Sequence, residues 1–185
     1  MNKNFNIIIS GVGGHGIITL IKIIDEAAFI DGYDVKSSEL HGLAQRGGSV
    51  LAHIKFGKKI YSPLVSDGSA DLVIATELME GLRTLKFLNS KTQFLVNKNL
   101  LPFIGGLSEE KIMQQLPKKN IQIVEASKIC IEKFGKEAVS TIYLLGLVIR
   151  NNLIPLKQES VLKAIEKIVP DKYLDLNIKA FNSHD

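Results

Sequence analysis

The residues best suited to chemistry lie in one short stretch, from Glu39 to Ser49, which we call the polar run. It gathers a carboxylate, an imidazole, an amide and a guanidinium within eight residues. An arginine beside two glycines can bind a carboxylate through paired hydrogen bonds, because glycines let backbone N–H groups approach the ligand. A histidine side chain can move protons or simply hydrogen-bond. The candidate substrate-positioning or interface residues are Glu39, His41, Gln45 and Arg46, and Gly47 and Gly48 are candidates for holding an anion.

Two other interpretations of the polar run remain open. It could be a surface turn in which Glu39 and Arg46 form an ion pair with each other. A Ser–His–acid triad could be drawn from the serines before Glu39 and from His41. However, near neighbours on one loop rarely reach triad geometry, and the chain has no G-x-S-x-G elbow.

A second cluster, the glycine loop, matches the pattern G-x-G-x-x-G between a strand-like run and a helix-like run. This is the context of a dinucleotide fingerprint, in which the glycines permit a tight turn and the helix N-terminus offers free N–H groups to an anion. The candidate anion loop consists of Gly11, Gly13, Gly14, His15 and Gly16.

The same glycines could serve only to turn the strand tightly into the helix. A dinucleotide site also expects an acidic residue about 20 positions further on, to hold the ribose. Lys36 stands near that place and Glu39 slightly beyond it. The fingerprint is therefore equivocal, and both interpretations stay open.

Metal chemistry within this chain is not expected. A single cysteine, Cys130, excludes an intrachain disulfide and a cluster held by about four thiolates. The spacing of His15, His41 and His53 matches no usual ligand pattern, and we expect His53 to be structural because it lies on a strand. We predict no metal site.

Charge and hydropathy exclude further classes of partner. The net charge is +4, but the lysines and arginines are dispersed and form no polybasic stripe, so no nucleic acid is expected as a partner. The most apolar stretch, Ile142 to Ile149, is far shorter than the roughly 18 residues of a transmembrane helix. The N-terminus lacks a signal-peptide pattern. We expect no membrane association and a cytoplasmic location.

Hydrophobic periodicity predicts an α/β protein. A strand at Asn6–Ile9, a helix at Ile17–Ile30 and a strand at Tyr33–Ser38 form a βαβ unit, which implies parallel strands. The polar stretch Glu39–Gly48 is predicted as a loop. The strand Ser49–Phe56 is predicted to form a hairpin with Lys59–Ser62.

The rest of the chain alternates strands and helices and then becomes helical. We predict one domain over residues 1–185, with an α/β core over about 1–150 and C-terminal helices over about 151–185. The fold class is a doubly wound, mostly parallel Rossmann-like sheet with a hairpin excursion and a helical C-terminal portion. The later predicted elements are strands Asp71–Ala75, Thr92–Asn97 and Ile121–Glu125 and helices Glu77–Leu85, Ser108–Leu116, Ala126–Phe134, Ala138–Asn151, Glu159–Val169 and Tyr173–Phe181.

Taken together, the two motifs resemble the gamma-type domain of 2-oxoacid:ferredoxin oxidoreductases, and within that family the beta subunit of the indolepyruvate type. The resemblance covers essentially the whole chain and is strongest over residues 6–100. It departs from the family pattern mildly, at His15, Leu40 and Leu43. The residues that carry it are Gly11-Val12-Gly13-Gly14-His15-Gly16 and Ser38-Glu39-Leu40-His41-Gly42-Leu43-Ala44-Gln45-Arg46-Gly47-Gly48-Ser49-Val50. Shorter similarities to the family lie at Tyr61-Ser62-Pro63-Leu64, Ala70-Asp71-Leu72 and Asn97.

The resemblance implies a subunit of an enzyme that is inactive alone. Such enzymes decarboxylate a 2-oxoacid, here indolepyruvate or another aryl pyruvate, pass electrons to ferredoxin and form an acyl-CoA. A large alpha subunit is expected to hold thiamine diphosphate, magnesium and 4Fe-4S clusters, with CoA as co-substrate. The chain has one cysteine and no Gly-Asp-Gly thiamine signature, which agrees with that division. A homodimer or an α2β2 assembly is compatible with it.

The resemblance also suggests a role for the polar run. We expect it to face the partner and help close the active-site cleft, so that His41, Gln45 and Arg46 position the substrate carboxylate or rigidify the interface. Three alternatives remain: the gamma subunit of a pyruvate, 2-oxoglutarate or branched-chain 2-oxoacid enzyme, a free-standing NAD(P)- or flavin-binding oxidoreductase, and a non-enzymatic sensor or scaffold.

Overall fold

The computed structural model describes residues 4–41, 47–102 and 106–183. Within these ranges the chain forms one six-stranded mixed sheet with helices on both faces. The strands are β1 (Phe5–Val12), β2 (Asp34–His41), β3 (Ser49–Gly57), β4 (Leu72–Ala75), β5 (Gln93–Asn97) and β6 (Ile121–Val124). The helices are α1 (Ile17–Ile30), α2 (Leu78–Leu82), α3 (Glu109–Gln115), α4 (Ala126–Phe134), α5 (Ser140–Arg150), α6 (Gln158–Ile168) and α7 (Asp171–Asn182), with short 3-10 turns at Leu85–Phe87 and Glu137–Val139.

The parallel half of the sheet forms as the sequence predicts. The strand order is β2-β3-β1-β4-β5-β6, and β1, β4, β5 and β6 are parallel neighbours. Their apolar runs are continuous because helices cover both faces, and all four residues of β4 are buried. The α/β fold class predicted from the sequence is confirmed.

The antiparallel half differs from the prediction. β3 lies between β1 and β2 and is antiparallel to both, so β1 and β2 run in the same direction but do not pair. The predicted hairpin with Lys59–Ser62 is wrong, since that segment forms no strand. Instead, the Asp34 carboxylate accepts a hydrogen bond from the Ile60 N–H at 2.7 Å. The predicted loop at Glu39 is also wrong, because β2 continues to His41.

The physical reason lies in the inner face of β3. Val50, Ala52, Ile54 and Phe56 are buried under α1 as part of the main core. A strand buried in this way needs a hydrogen-bonded neighbour on each side, because unpaired backbone groups are costly away from water. β1 and β2 supply those neighbours along the length of β3.

The C-terminal helices continue the core that begins with α1. α6 packs on α1, where the Asp31 carboxylate accepts hydrogen bonds from Lys157 N–H and the Ser160 hydroxyl. α7 packs on α5, where Gly146 leaves room for the Phe181 carbonyl, which also accepts a hydrogen bond from Arg150 at 2.8 Å. Of the helices in the described ranges, none is both long and apolar enough to cross a membrane.

Candidate functional site

The candidate site lies where the parallel strands end. α1 leaves β1 toward one face of the sheet, whereas α2 follows β4 on the other face. In doubly wound sheets, ligands bind in the crevice that opens at such a switch point, outside the carboxyl ends of the strands. The glycine loop follows β1 at this edge, and β2 ends and β3 begins beside it.

Three glycines of the loop have three different structural roles. Gly11 is part of β1, and a side chain there would collide with the side chain of Thr76. Gly16 is the N-cap of α1 with φ +78°, and a Cβ there would lie 3.1 Å from the Thr141 hydroxyl oxygen. Gly14 has φ +99° and faces open space. Close packing therefore explains Gly11, backbone conformation explains Gly14, and both reasons apply to Gly16.

The structure brings the glycine loop and the end of the polar run together. The Gly13 N–H donates to the Gly48 carbonyl at 2.9 Å, and the Gly47 N–H donates to the Gly13 carbonyl at 3.2 Å. The His15 N–H donates to the Val12 carbonyl at 3.3 Å. Since these N–H groups already have partners, an anion at the loop would have to bind at Gly14 or at the first turn of α1.

Glu39 and His41 lie on the same face of β2, two residues apart. Their side chains form a contact of 2.9 Å between Nε2 and Oε2, with exposed fractions of 27% for the carboxylate and 44% for the imidazole. His41 also lines a cavity of about 220 Å³ together with Gly14 and the first turn of α1. The predicted residues Gln45 and Arg46 lie outside the described residues, so the alternative of a Glu39–Arg46 ion pair stays open.

An unusual carboxyl group lies under this face of β2. Burial raises the pKa of Asp25, on α1, to about 6, and the negative charge of Glu39 adds to the increase. The Ser37 hydroxyl donates to Asp25 at 2.6 Å and opposes the shift. The junction between α1 and β2 therefore holds two acids, one of which is partly protonated near neutral pH.

Two buried acids that sequence reasoning did not select lie across the crevice. The Glu77 carboxylate caps α2 by accepting from the Glu80 N–H at 2.7 Å, and it also accepts from the Leu101 N–H at 3.3 Å. Glu80 accepts from the Ser49 hydroxyl at 2.5 Å and lies 3.4 Å from Arg83, and burial raises its pKa. The spacing E-x-x-E after a strand indicates a helix start, but the burial of both acids has no signal in the sequence.

A buried polar network stands at the end of β5. The Asn97 amide donates to the Thr76 carbonyl at 3.1 Å and to the Ser127 hydroxyl at 2.9 Å. That hydroxyl donates to Glu137 at 2.9 Å, and the Asn99 amide donates to the same oxygen at 3.0 Å. These bonds tie the ends of β4 and β5 to α4, so Asn97 is structural.

His53, one of the three histidines considered for a metal site, has a structural role. His53 is buried, and its Nδ1 accepts from the Val65 N–H at 3.1 Å, while burial lowers its pKa. Across residues 4–41, 47–102 and 106–183, no three His, Cys, Asp or Glu side chains are grouped so as to hold a metal ion. β3 lies between β1 and β2, so β2, which carries Glu39, is about 10 Å from β1 instead of adjacent to it as in a conventional dinucleotide site.

Comparisons of the sequence and of the fold with known proteins agree on one family. The family model described as pyruvate ferredoxin/flavodoxin oxidoreductase matches residues 6–183. The indolepyruvate oxidoreductase subunit IorB of Archaeoglobus fulgidus is 36% identical over 95% of this chain and 90% of its own length. The subunit of the same name from Pyrococcus horikoshii is 33% identical over 97% and 94%. The crystal structure of a keto/oxoacid ferredoxin oxidoreductase gamma subunit from Geobacter sulfurreducens shares the fold, with a TM-score of 0.71 and 24% identity over 96% and 94% of the two chains.

Proposed function

The chain belongs to the pyruvate ferredoxin/flavodoxin oxidoreductase family, and we propose that it is the small beta subunit of a 2-oxoacid:ferredoxin oxidoreductase that acts on indolepyruvate or other aryl pyruvates. The observation that carries this proposal is the near full-length similarity to subunits named for indolepyruvate, at 31% to 36% identity. The reaction would release the carboxyl group of the 2-oxoacid as carbon dioxide, transfer the acyl group to CoA and pass two electrons to ferredoxin.

The cofactors of this reaction would reside in a larger partner subunit. A 4Fe-4S cluster needs about four thiolates, whereas this chain has one cysteine, Cys130, and that residue is buried in the core. The residues present therefore do not fit a cluster. We also assign thiamine diphosphate and magnesium to the partner, because the sequence has no Gly-Asp-Gly signature.

This chain would contribute the polar run and the glycine loop to the shared active-site cleft. Glu39 and His41 are accessible at the carboxyl edge of the sheet, and Leu40 between them exposes 57% of its surface. Accessible polar side chains on one face of an edge strand and an exposed apolar side chain on the other face suit contact with a partner. His41, Gln45 and Arg46 would position the substrate carboxylate or hold the interface.

The glycine loop would bind an anion, such as phosphate or a part of CoA, at Gly14 and the first turn of α1. The N–H groups of that first turn have no partner within the helix. We further propose that residues 1–185 act as one domain, since α6 and α7 share the core of α1 and α5. Assembly as an α2β2 complex in the cytoplasm, where ferredoxin would accept the electrons, completes the proposal.

The test is to co-express the chain with its larger subunit and to measure ferredoxin or methyl viologen reduction with CoA present. Indolepyruvate and phenylpyruvate should support the fastest turnover, and either subunit alone should be inactive. Preference for pyruvate, 2-oxoglutarate or a branched-chain 2-oxoacid would overturn the substrate assignment. A separate titration of the isolated chain with NADH should show no binding, and stoichiometric binding would favour a free-standing dehydrogenase instead.

A further inference from the structure

A mostly apolar cavity of about 340 Å³ lies at the N-terminus of α1, on the side that faces α5 and α7. It differs from the cavity beside His41 in its walls, which come from the C-terminal helices. Val139, Ile142 and Val169 are buried and line it, and Leu176 completes the apolar wall. Its volume falls in the range of small-ligand sites, which are mostly apolar with a few convergent polar groups.

The Thr141 side chain in this cavity forms no hydrogen bond with the residues that the structure describes. Thr141, at the start of α5, exposes only 2% of its surface, and its side chain lines the cavity. Within the described ranges, no hydrogen bond involves its hydroxyl. The Thr141 hydroxyl is therefore available to a ligand that reaches the apolar walls.

The charges around the cavity favour an anion. Gly16, the N-cap of α1, lines the cavity and supplies no side-chain cap, and the first turn of this 14-residue helix has no acidic residue. The helix end therefore keeps its partial positive charge. At the rim, the Lys136 ammonium lies 5.9 Å from the centre of the Tyr173 ring. Among the described residues, Lys136 has no carboxylate within 4 Å.

We propose that this cavity binds a small carboxylate with an aryl or branched apolar side chain. The apolar part would pack between Ile142, Val169 and Leu176. The carboxylate would lie near Thr141, Thr19 and the α1 N-terminus, with Lys136 closing the rim over Tyr173. This site shares the N-terminus of α1 with the proposed anion site of the glycine loop, but it needs neither a partner subunit nor the polar run.

The test uses phenylacetate as the probe and the full 185-residue chain labelled with ¹⁵N. Its amide spectrum should shift at Gly16, Thr19, Thr141 and Tyr173. Saturation is expected with a Kd of about 1 mM, as is typical of a ligand of about ten non-hydrogen atoms. Acetate lacks the apolar part and phenethylamine carries the opposite charge, so neither should bind at this concentration. Absence of saturation by phenylacetate, or equal binding of phenethylamine, would overturn the proposal.

Matched variants test the polar groups separately. Lys136→Met keeps the length of the side chain and removes its charge, and Thr141→Val keeps the shape and removes the hydroxyl. Each substitution should raise the Kd for phenylacetate about fivefold to tenfold, as expected for the loss of one charged or polar contact. The control Lys163→Met lies on the exposed side of α6, away from the cavity, and should bind like the unmodified chain. Unchanged binding in both test variants, with folding verified by their spectra, would contradict the assignment.

Discussion

The two motifs that meet at the carboxyl edge of the sheet are held in different ways. The glycine loop is packed from several sides, by Thr76 against Gly11 and by Thr141 against Gly16. The final strand residues of the polar run, Glu39 and His41, are accessible and contact mainly each other. Packing within the fold accounts for Gly11 and Gly16. The accessible side chains of Glu39 and His41 have no comparable role in packing.

This difference separates structural from functional roles. A glycine that packs this closely is needed for folding whatever the protein does. Its presence is therefore weak evidence of a chemical role. An exposed acid–histidine pair contributes little to stability, typically about 0–1 kcal/mol. If the pair has a larger role, that role involves contact with a partner or a ligand. We therefore expect substitutions in the glycine loop to affect folding and substitutions in the polar run to affect assembly or catalysis.

The largest effect is expected for Gly11→Ala. The added methyl group would meet the Thr76 side chain and would lie 2.8 Å from Ile17 Cδ1, and overpacking of a buried site costs about 3 kcal/mol. Urea denaturation followed by circular dichroism measures this loss. Thr76→Ala in the same chain should recover part of it, and a Gly11→Ala variant as stable as the unmodified protein would show that the close packing is not required.

A smaller effect of opposite sign is expected for Asp25→Asn. The pKa of Asp25 rises on folding from 3.8 to about 6, so the folded state holds the proton more tightly. The stability that this proton provides is complete below pH 3.8 and is lost as the pH rises through 6. At pH 8 the substitution should therefore stabilise the chain by about 2 kcal/mol, because a shift of about two pKa units corresponds to at most about 3 kcal/mol and solvent around the partly accessible carboxyl screens part of it.

Urea denaturation at pH 4.5, 6 and 8 measures this effect. The gain from Asp25→Asn should grow with pH, and the Ser37 hydroxyl can still donate to the new amide oxygen. Ser37→Ala is a useful companion, because loss of that hydrogen bond removes a contact that favours the ionised carboxylate. A gain that does not change with pH would contradict the link between burial and the pKa of Asp25.

Gly14→Ala is expected to cost less than Gly11→Ala, although both lie in the same loop. The position has φ +99° but open space around it, so the cost comes only from backbone strain, about 1–2 kcal/mol. Gly14→Asn should cost less than Gly14→Ala, because Asn tolerates positive φ better. Equal losses for Gly11→Ala and Gly14→Ala in urea denaturation would remove the distinction between packing and conformation within the loop.

The smallest effect on stability is expected for Glu39→Gln. The substitution removes the charge of an accessible carboxylate that pairs with His41, so the free energy of unfolding should change by less than about 0.5 kcal/mol. Differential scanning calorimetry of the isolated chain checks this. A loss of more than about 2 kcal/mol in the free energy of unfolding would show that the Glu39–His41 pair stabilises the fold. The pair would then not differ from the closely packed glycines of the loop.

The sequence predicted the parallel part of the sheet better than the antiparallel part. The four apolar residues of β4 and the run Ala126–Phe134 are local patterns, and the structure has them where predicted. The position of β3 between β1 and β2 is a long-range pairing, which periodicity cannot reveal. The same limit explains the two buried acids, Glu77 and Glu80, since burial of a charged side chain depends on neighbours distant in sequence.

The two motifs could be located from the sequence because their residue types are unusual and closely spaced. Their contact could not be predicted, because the hydrogen bonds between Gly13 and the Gly47-Gly48 pair depend on the register of β1 and β3. The Thr141 cavity was also beyond sequence reasoning, since α1, α5 and α7 approach one another only in the folded chain.

We expect the polar run to serve the assembled enzyme rather than the fold, and the kinetics of assembled variants test this most directly. His41→Ala and Arg46→Ala are assembled with the larger subunit and compared with Lys36→Ala, on the opposite face of β2. We predict that the first two lower kcat/KM for indolepyruvate at least about tenfold, equivalent to about 1.4 kcal/mol, while the urea midpoint of the isolated chain is unchanged. Assembly and turnover equal to those of the Lys36→Ala control would contradict the account.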